Sequence, residues 1–180
     1  MHRQRVRQLI DEYASRHPDE CEAIDWFRGF VEAEVRCFHR DCWSGHVTGS
    51  AWVVDASGSS VLLTHHRKLG RWLQLGGHSD GDPDTLAVAH REAEEESGLV
   101  VVPVRESVFD LDVHEIPPRG QDPAHHHFDL RFAFAVIGSE DFEVSAESHD
   151  LAWVPIARLA EFTDENSMLR MAGKWLARRG

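Results

Sequence analysis

The sequence predicts one domain of mixed α and β structure, and two observations support this prediction. Strand-like segments precede and follow one central acidic helix, and apolar side chains recur with helical periodicity in residues 4–15 and 19–35. No repeat, low-complexity tract or Pro/Gly/Ser-rich linker divides the sequence of residues 1–180. We therefore expect a single domain, with residues 1–45 as a helical N-terminal extension and residues 46–180 as its core.

The strands are predicted from alternating apolar residues bounded by turn-forming residues. Along the chain they fall within residues 46–66, 71–75, 99–117, 125–138 and 151–155. The first of these segments contains the turn ASGSS and therefore predicts two strands. An amphipathic helix is expected to close the chain at residues 165–178.

Composition and charge narrow the class of protein. The three cysteines, Cys21, Cys37 and Cys42, lack the paired spacing of a zinc ribbon or redox motif, which predicts reduced thiols. The N-terminus has no apolar signal core, and the longest apolar run, LVVVPV, is too short to cross a bilayer. A net charge of −12 argues against nucleic-acid binding, although bound divalent cations would allow a small anionic substrate. We expect a cytoplasmic protein that binds neither membranes nor nucleic acid.

The central helix has recognisable ends and a narrow apolar face. Asp84 is the predicted N-cap, and Gly98 is a suitable residue for a left-handed stop. Leu86, Ala89 and Ala93 line one face and are small enough, taken together, to let the helix pack closely on a sheet.

The charge on this helix is unusual. Seven acidic side chains and one arginine lie between Asp80 and Glu96. Glu92, Glu95 and Glu96 stand at i, i+3 and i+4, within about a 100° arc of the helix surface. Like charges at these spacings cost roughly a few tenths of a kcal/mol per pair, so a solvated face would alternate them with lysine. Three carboxylates on one face suit a hard cation such as Mg²⁺.

The segment from Gly77 to Leu99 resembles the signature of the Nudix hydrolases, Gly-x5-Glu-x7-Arg-Glu-U-x-Glu-Glu-x-Gly-U, in which U is aliphatic. The preceding GRWLQLGG resembles the usual lead-in of the family. The matching positions are Gly77, Arg91, Glu92, Glu95, Glu96, Gly98 and Leu99.

Two positions depart from this pattern. Pro83 occupies the place of the first glutamate, and Leu75 occupies the place of the usual proline. In the family the first glutamate commonly supports the metal site from a loop. Its substitute here is expected to be one of the nearby acidic residues Asp80, Asp82 and Asp84.

The resemblance implies an α/β/α sandwich with a mixed central sheet. It also implies a Mg²⁺-dependent pyrophosphohydrolase, with Mn²⁺ as the alternative ion, that cleaves a nucleoside diphosphate linked to another moiety. By resemblance the metal ligands are Glu92, Glu95, Glu96 and the carbonyl group of Gly77, and Arg91 orients the carboxylates.

The resemblance does not place the catalytic base uniquely, because members of the family carry it either on the helix or on a later loop. Glu147, just before the last predicted strand, occupies a position where many relatives carry a loop glutamate. Glu143 and Asp150 are its rivals, and each of these acids could equally be a solvated loop residue.

The strand at residues 125–138 has two chemically different faces. Alternation directs one set of side chains to the core: His126, Phe128, Leu130, Phe132 and Phe134. The opposite face carries His125, His127, Asp129 and Arg131, which could coordinate a transition metal, line a substrate pocket or form a polar sheet surface. His127, Asp129 and Arg131, together with Arg71 from the earlier hairpin, are the predicted substrate contacts.

Two other functions fit the same fold. Pro83 and the N-terminal helices favour a non-catalytic nucleotide or metabolite sensor. The segment RWLQLGGH faintly resembles isopentenyl-diphosphate isomerase, but that enzyme needs a cysteine where Gly76 stands. Residues 1–45 are expected to form either a homodimer interface or a lid.

Overall fold

The computed structural model describes residues 2–67, 70–145 and 148–178. Within these residues the chain forms four α-helices and eight β-strands, which confirms the predicted mixture of α and β structure. The helices are α1 (Gln4–Arg16), α2 (Cys21–Ala33), α3 (Thr85–Ser97) and α4 (Asn166–Ala177). The strands are β1 (His46–Val54), β2 (Ser60–His66), β3 (Arg71–Leu73), β4 (Leu75–His78), β5 (Val101–Pro103), β6 (Asp110–Ile116), β7 (His125–Val136) and β8 (Ser148–Pro155). None of the described helices combines the length and the apolar character that a membrane crossing requires.

The chain divides into two compact units. The first contains Met1–Ser50, Gly76–Ala89 and Glu106–Phe132, and the second contains Ala51–Leu75, His90–Arg105 and Ala133–Gly180. Strands β1 and β7 and helix α3 each contribute residues to both units.

The first unit is built on the N-terminal helix pair that the apolar periodicity predicts. The pair packs through aromatic rings against β7, where Phe30 stacks on Phe128 at 3.8 Å and Phe27 meets the same ring edge-on at 5.4 Å. The guanidinium of Arg3, just before α1, donates hydrogen bonds to the carbonyl oxygens of Val31 and Glu32 at the end of α2. Strand β7 pairs with β6 in antiparallel register from Asp110↔Arg131 to Ile116↔His125.

Two glycines in the first unit allow the backbone to approach closely. A Cβ atom at Gly49 of β1 would lie 2.6 Å from the carbonyl oxygen of Thr85, so the first turn of α3 rests directly on the strand. Gly76 has a φ of +151°, and a Cβ atom there would lie 2.5 Å from the hydroxyl oxygen of Ser50. Gly76, the first of the glycine pair before the acidic helix, therefore allows close packing of β4 against β1.

The second unit is organised around β2, which pairs antiparallel with β1, β3 and β8. Its longest pairing, with β8, runs from Ser60↔Pro155 to His66↔Ser148. Helix α4 is fixed to the β1–β2 turn because the indole nitrogen of Trp175 donates to the carbonyl oxygen of Gly58 at 2.9 Å. The turn and the closing helix both agree with the sequence prediction.

One detail of the α3 packing prediction is wrong. Ala89 and Ala93 are fully buried as expected, but Leu86 is only half-buried and Val88 is fully buried in its place. Val88 lies beside Gly49, so the absence of a side chain on the strand leaves room for a branched side chain on the helix.

We expect Gly49→Ala to lower the free energy of unfolding by about 1–3 kcal/mol, because the new methyl group would press on helix backbone that cannot move without repacking. The matched control is Gly29→Ala in α2, where a Cβ atom meets nothing within 4 Å. That change should raise stability by about 0.5–1 kcal/mol through its helix propensity. Urea unfolding measures both, and equal effects would contradict the described contact between α3 and β1.

Candidate functional site

The signature glutamates lie in the second half of α3. Glu95 is exposed, Glu92 retains 22% of its side-chain surface, and Glu96 is 9% exposed. Their spacing places them on one face of the helix. The guanidinium of Arg91 lies 3.8 Å from the carboxylate of Glu92, which fits the orienting role that the resemblance implies.

Both predicted ends of α3 are confirmed. The Asp84 carboxylate accepts a hydrogen bond from the backbone N–H of Ala87 at 3.1 Å, the geometry of an N-cap. Gly98 has a φ of +68°, and its N–H donates to the carbonyl oxygen of Glu94 at 2.8 Å. These caps fix the helix although its last two turns carry four glutamates.

The three loop aspartates that could replace the first glutamate have local structural partners. Asp80 forms an ion pair with Arg40, and Asp82 accepts a hydrogen bond from the backbone N–H of Asp84 at 2.9 Å. Asp84 is the N-cap itself. Pro83 lies between two residues that shape the entry of α3.

Of the three acids considered as the catalytic base, Glu143 has the best-defined place. Its backbone N–H donates to the carbonyl oxygen of Ser97 at 2.7 Å, and its side chain lies beside Gly98, at the C-terminal end of α3. Asp150 is exposed on β8. Glu147 lies outside the described residues.

The predicted substrate contact Arg71 begins β3 and forms an ion pair with Glu165, just before α4. Its side chain is exposed. The guanidinium of Arg71 is therefore already paired with a carboxylate of the second unit.

The polar face of β7 is buried, and its charges are paired within the protein. Arg131 is 2% exposed and donates to Asp129 at 2.8 Å, Asp112 at 3.0 Å and Asp110 at 3.1 Å. Asp129 also accepts hydrogen bonds at 2.8 Å from the hydroxyls of Thr48 and Ser50. We call these six residues the Arg131 network.

The network keeps Arg131 charged. Burial by itself lowers the pKa of Arg131, but the charges of Asp129, Asp112 and Asp110 outweigh it and raise the pKa above its usual value. Asp129 and Arg131, both predicted as substrate contacts, are thus already hydrogen-bonded to each other in the first unit.

The histidines of β7 join a partner that the sequence prediction missed. The imidazoles of His125 and His127 lie beside His46, the first residue of β1, and the ligating nitrogens of the three all lie within 4.8 Å of one another. In the sequence, His46 is recognisable only as a histidine at the start of a predicted strand. That position does not predict that the strand lies beside β7. The predicted donor Asp129 belongs instead to the Arg131 network.

The sequence of this chain matches a family model. The model of the NUDIX domain covers residues 45–173. The chain belongs to the Nudix family. Among curated proteins, none matches the sequence significantly.

Solved Nudix structures share the fold at low sequence identity. The Ap4A hydrolase of C. elegans, in a binary complex, is 16% identical with a TM-score of 0.59, over 74% of this chain and 96% of its own. A NUDIX-family hydrolase from Clostridium perfringens is 23% identical with a TM-score of 0.56, over 74% and 97%. The NUDIX domain of Shewanella oneidensis NrtR, complexed with ADP ribose, is 14% identical with a TM-score of 0.53, over 84% and 97%.

These findings confirm the predicted family and the Nudix-type fold, with the N-terminal helices as an addition to it. The predicted enzyme class, a Nudix hydrolase acting on phosphoric anhydride bonds, follows from membership of this family.

For this Nudix protein we expect Arg131→Met to lower the free energy of unfolding by about 3–5 kcal/mol, because three carboxylates would lose their buried cation. Thermal unfolding followed by circular dichroism measures the change. The control is Arg158→Met, which removes an exposed guanidinium paired with Glu161 and should leave the melting temperature unchanged. Similar melting temperatures for the two variants would show that the network contributes little.

Proposed function

We propose that the protein is a Mg²⁺-dependent pyrophosphohydrolase that cleaves a nucleoside diphosphate linked to another moiety. The observation that carries this proposal is the glutamate face of α3, with Glu92, Glu95 and Glu96 at signature spacing on a helix capped at both ends. The family supplies the reaction class, and the helix supplies the residues for it.

The donor set on α3 fits a hard divalent cation. Carboxylate oxygens are the ligands that Mg²⁺ prefers, and a cation relieves the mutual repulsion of acids grouped on one helix face. Glu92, Glu95 and Glu96 would hold the ion together with the carbonyl oxygen of Gly77 in β4. When bound, the ion supplies electrostatic stabilisation of charge on the diphosphate. Mn²⁺ is the alternative occupant.

The other residues of the proposed site position groups or move a proton. Arg91 would hold the Glu92 carboxylate by charge, as its 3.8 Å separation allows. A carboxylate would accept the proton of the attacking water, and Glu147 is the proposed base on the resemblance alone. Glu143 is its described rival, because it is anchored beside the end of α3.

Two of the Nudix structures support the substrate class. One is an Ap4A hydrolase, and the other was solved with ADP ribose, so each is associated with a nucleotide that contains phosphoric anhydride bonds. We retain Arg71, His127, Asp129 and Arg131 as proposed substrate-side residues. The ion pairs of Arg71 and Arg131 favour a positioning role for these two arginines over direct contact with phosphate.

The remaining features of the proposal rest on the sequence. They are one domain over residues 1–180, with a 1–45 extension and a 46–180 core, a cytoplasmic location, and an extension that forms either a homodimer interface or a lid.

A nucleotide sensor is the second candidate function, and Pro83 in place of the first glutamate favours it. The isomerase alternative is weaker. That enzyme needs a cysteine where Gly76 stands, and a side chain at Gly76 would collide with Ser50.

We expect Glu95→Gln to lower hydrolysis of nucleoside diphosphate derivatives by at least about 100-fold. Substitution of a residue that only orients a metal ligand typically lowers activity by about 10–100-fold, and substitution of the ligand itself should lower it more. The metal-free melting temperature should stay the same or rise, since repulsion on the helix decreases. Glu96→Gln should behave alike. The measurement is product release across a nucleotide panel with Mg²⁺ and with Mn²⁺.

The matched control for Glu95→Gln is Glu94→Gln. It makes the same charge change on the same helix, at a carboxylate that lies 3.7 Å from the imidazole of His90. Activity should be retained.

Wild-type protein at 100 times the dissociation constant for Mn²⁺ should gain about 2.7 kcal/mol of stability. If no panel nucleotide is cleaved and no divalent ion stabilises the wild type, the hydrolase proposal fails.

A separate expectation concerns Pro83. Pro83→Glu should change turnover by less than about tenfold, or about 1.4 kcal/mol in barrier, because the proposed carboxylate ligands of the metal lie further along the chain, on α3. Pro83→Gln is the control that removes the ring without adding charge. Steady-state kinetics on the best panel substrate measures both. An inert wild type that becomes active only in Pro83→Glu would establish the sensor function instead.

A further inference from the structure

Three histidines of the first unit are arranged as a set of metal ligands, and the hydrolase proposal uses only one of them, His127, and that one as a substrate-side residue. His46 begins β1, and His125 and His127 lie two residues apart on one face of β7. Their ring centroids are 4.7 to 5.4 Å apart, and one nitrogen from each lies within 4.8 Å of the other two. We propose that His46, His125 and His127 together bind one transition-metal ion of the Zn²⁺ class.

Buried ring nitrogens of His46 and His127 lack hydrogen bonds of good geometry. His46 is 2% exposed, and the backbone of Cys42 lies close enough to oppose the lowering of its pKa without making a well-aligned hydrogen bond to either ring nitrogen. The Nε2 atom of His127 is likewise buried without one. A buried polar atom left in this state keeps the full cost of its desolvation. A bound metal ion would use lone pairs that the protein itself leaves unsatisfied.

The protonation states suit metal binding. Burial, with the nearby charges of His78 and His125, lowers the pKa of His46 to about 4. Burial, with its histidine neighbours, lowers the pKa of His127 to about 2. Both imidazoles are therefore neutral at pH 7, which is the form that ligates metals.

His125 carries the supporting hydrogen bond that is usual for a metal-bound histidine. Its Nδ1 lies 2.8 Å from the carbonyl oxygen of Pro123, to which it donates as N–H. The proton is thereby fixed on Nδ1, and the lone pair is left on Nε2. The same contact sets the ring orientation before any metal arrives.

The donor chemistry selects the class of metal. Neutral imidazoles suit Zn²⁺, Cu²⁺ and Ni²⁺, whereas Mg²⁺ and Ca²⁺ require oxygen ligands. The nearest strand carboxylate on the same face, Asp129, is occupied by Arg131, Thr48 and Ser50. Three protein ligands leave a coordination position for water or an anionic oxygen. The rings of His78 and His114 lie 5.2 and 5.5 Å from that of His127 and would surround the ion.

The test uses the full chain without a histidine tag, stripped of metal by a chelator and then titrated with Zn²⁺ and with Co²⁺. We expect one Zn²⁺ per chain by calorimetry, and visible Co²⁺ absorption of the intensity typical of four-coordinate sites. A large excess of Mg²⁺ should not displace either ion, because Mg²⁺ binds imidazole poorly.

The decisive variant is His127→Gln, which should weaken Zn²⁺ binding by more than about 100-fold. Its control is His149→Gln, an exposed histidine on β8 outside the cluster, which should bind as the wild type does. Circular dichroism establishes that each variant is folded. If His127→Gln does not fold, His125→Gln and the wild-type Co²⁺ spectrum decide the question.

Four results would overturn the proposal. They are absence of Zn²⁺ binding by the wild type, undiminished binding by a folded His127→Gln, equal loss in His149→Gln, and loss of Zn²⁺ in Glu95→Gln. In the first case the unpaired nitrogens would be satisfied by ordered water. Glu95→Gln should retain its Zn²⁺. Loss of Zn²⁺ in that variant would place the ion on the α3 carboxylates, which separates failure here from failure of the hydrolase proposal.

Discussion

The guanidinium of Arg131 lies buried between carboxylates of two neighbouring strands, and its charge can be kept out of water only while those carboxylates hold their positions. This constraint couples β6 to β7 through Asp110 and Asp112. It reaches β1 because Asp129 accepts hydrogen bonds from Thr48 and Ser50. Even the N-terminal extension approaches it, since the hydroxyl of Tyr13 in α1 lies 3.5 Å from Asp110. Much of the first unit is therefore arranged around one buried cation.

The same pairing determines the neighbourhood of the histidine cluster. Residues on β7 alternate between faces, so His125 and His127 share a face with Asp129 and Arg131. The network fixes the register of that strand against β6 and ties it to β1, which begins at His46. His125 and His127 precede Asp129 along β7, and their imidazole rings contact each other and the ring of His46. The Arg131 network and the histidine cluster thus occupy successive parts of one strand face.

Helix α3 is held in place although its acidic side chains repel one another. Its acids repel one another, but the Asp84 cap, the Gly98 stop and the burial of Val88, Ala89 and Ala93 hold the helix in place. The proposed role of the grouped glutamates is to hold a divalent ion. Glu95 is exposed and lies apart from the packing residues of the helix, so the effect of its substitution on activity can be measured separately from the effect on stability.

The sequence by itself determined most of the elements, the family and the two ends of the acidic helix, because those depend on local properties: apolar periodicity, capping residues and fixed spacing within about two dozen residues. Only the tertiary structure decided what the polar face of β7 does. The pattern predicted that Asp129 and Arg131 share a face with His125 and His127, but their partners Asp110, Thr48 and His46 come from strands distant in sequence. Strand alternation assigns a residue to a face, whereas pairing between strands decides which residue it meets there.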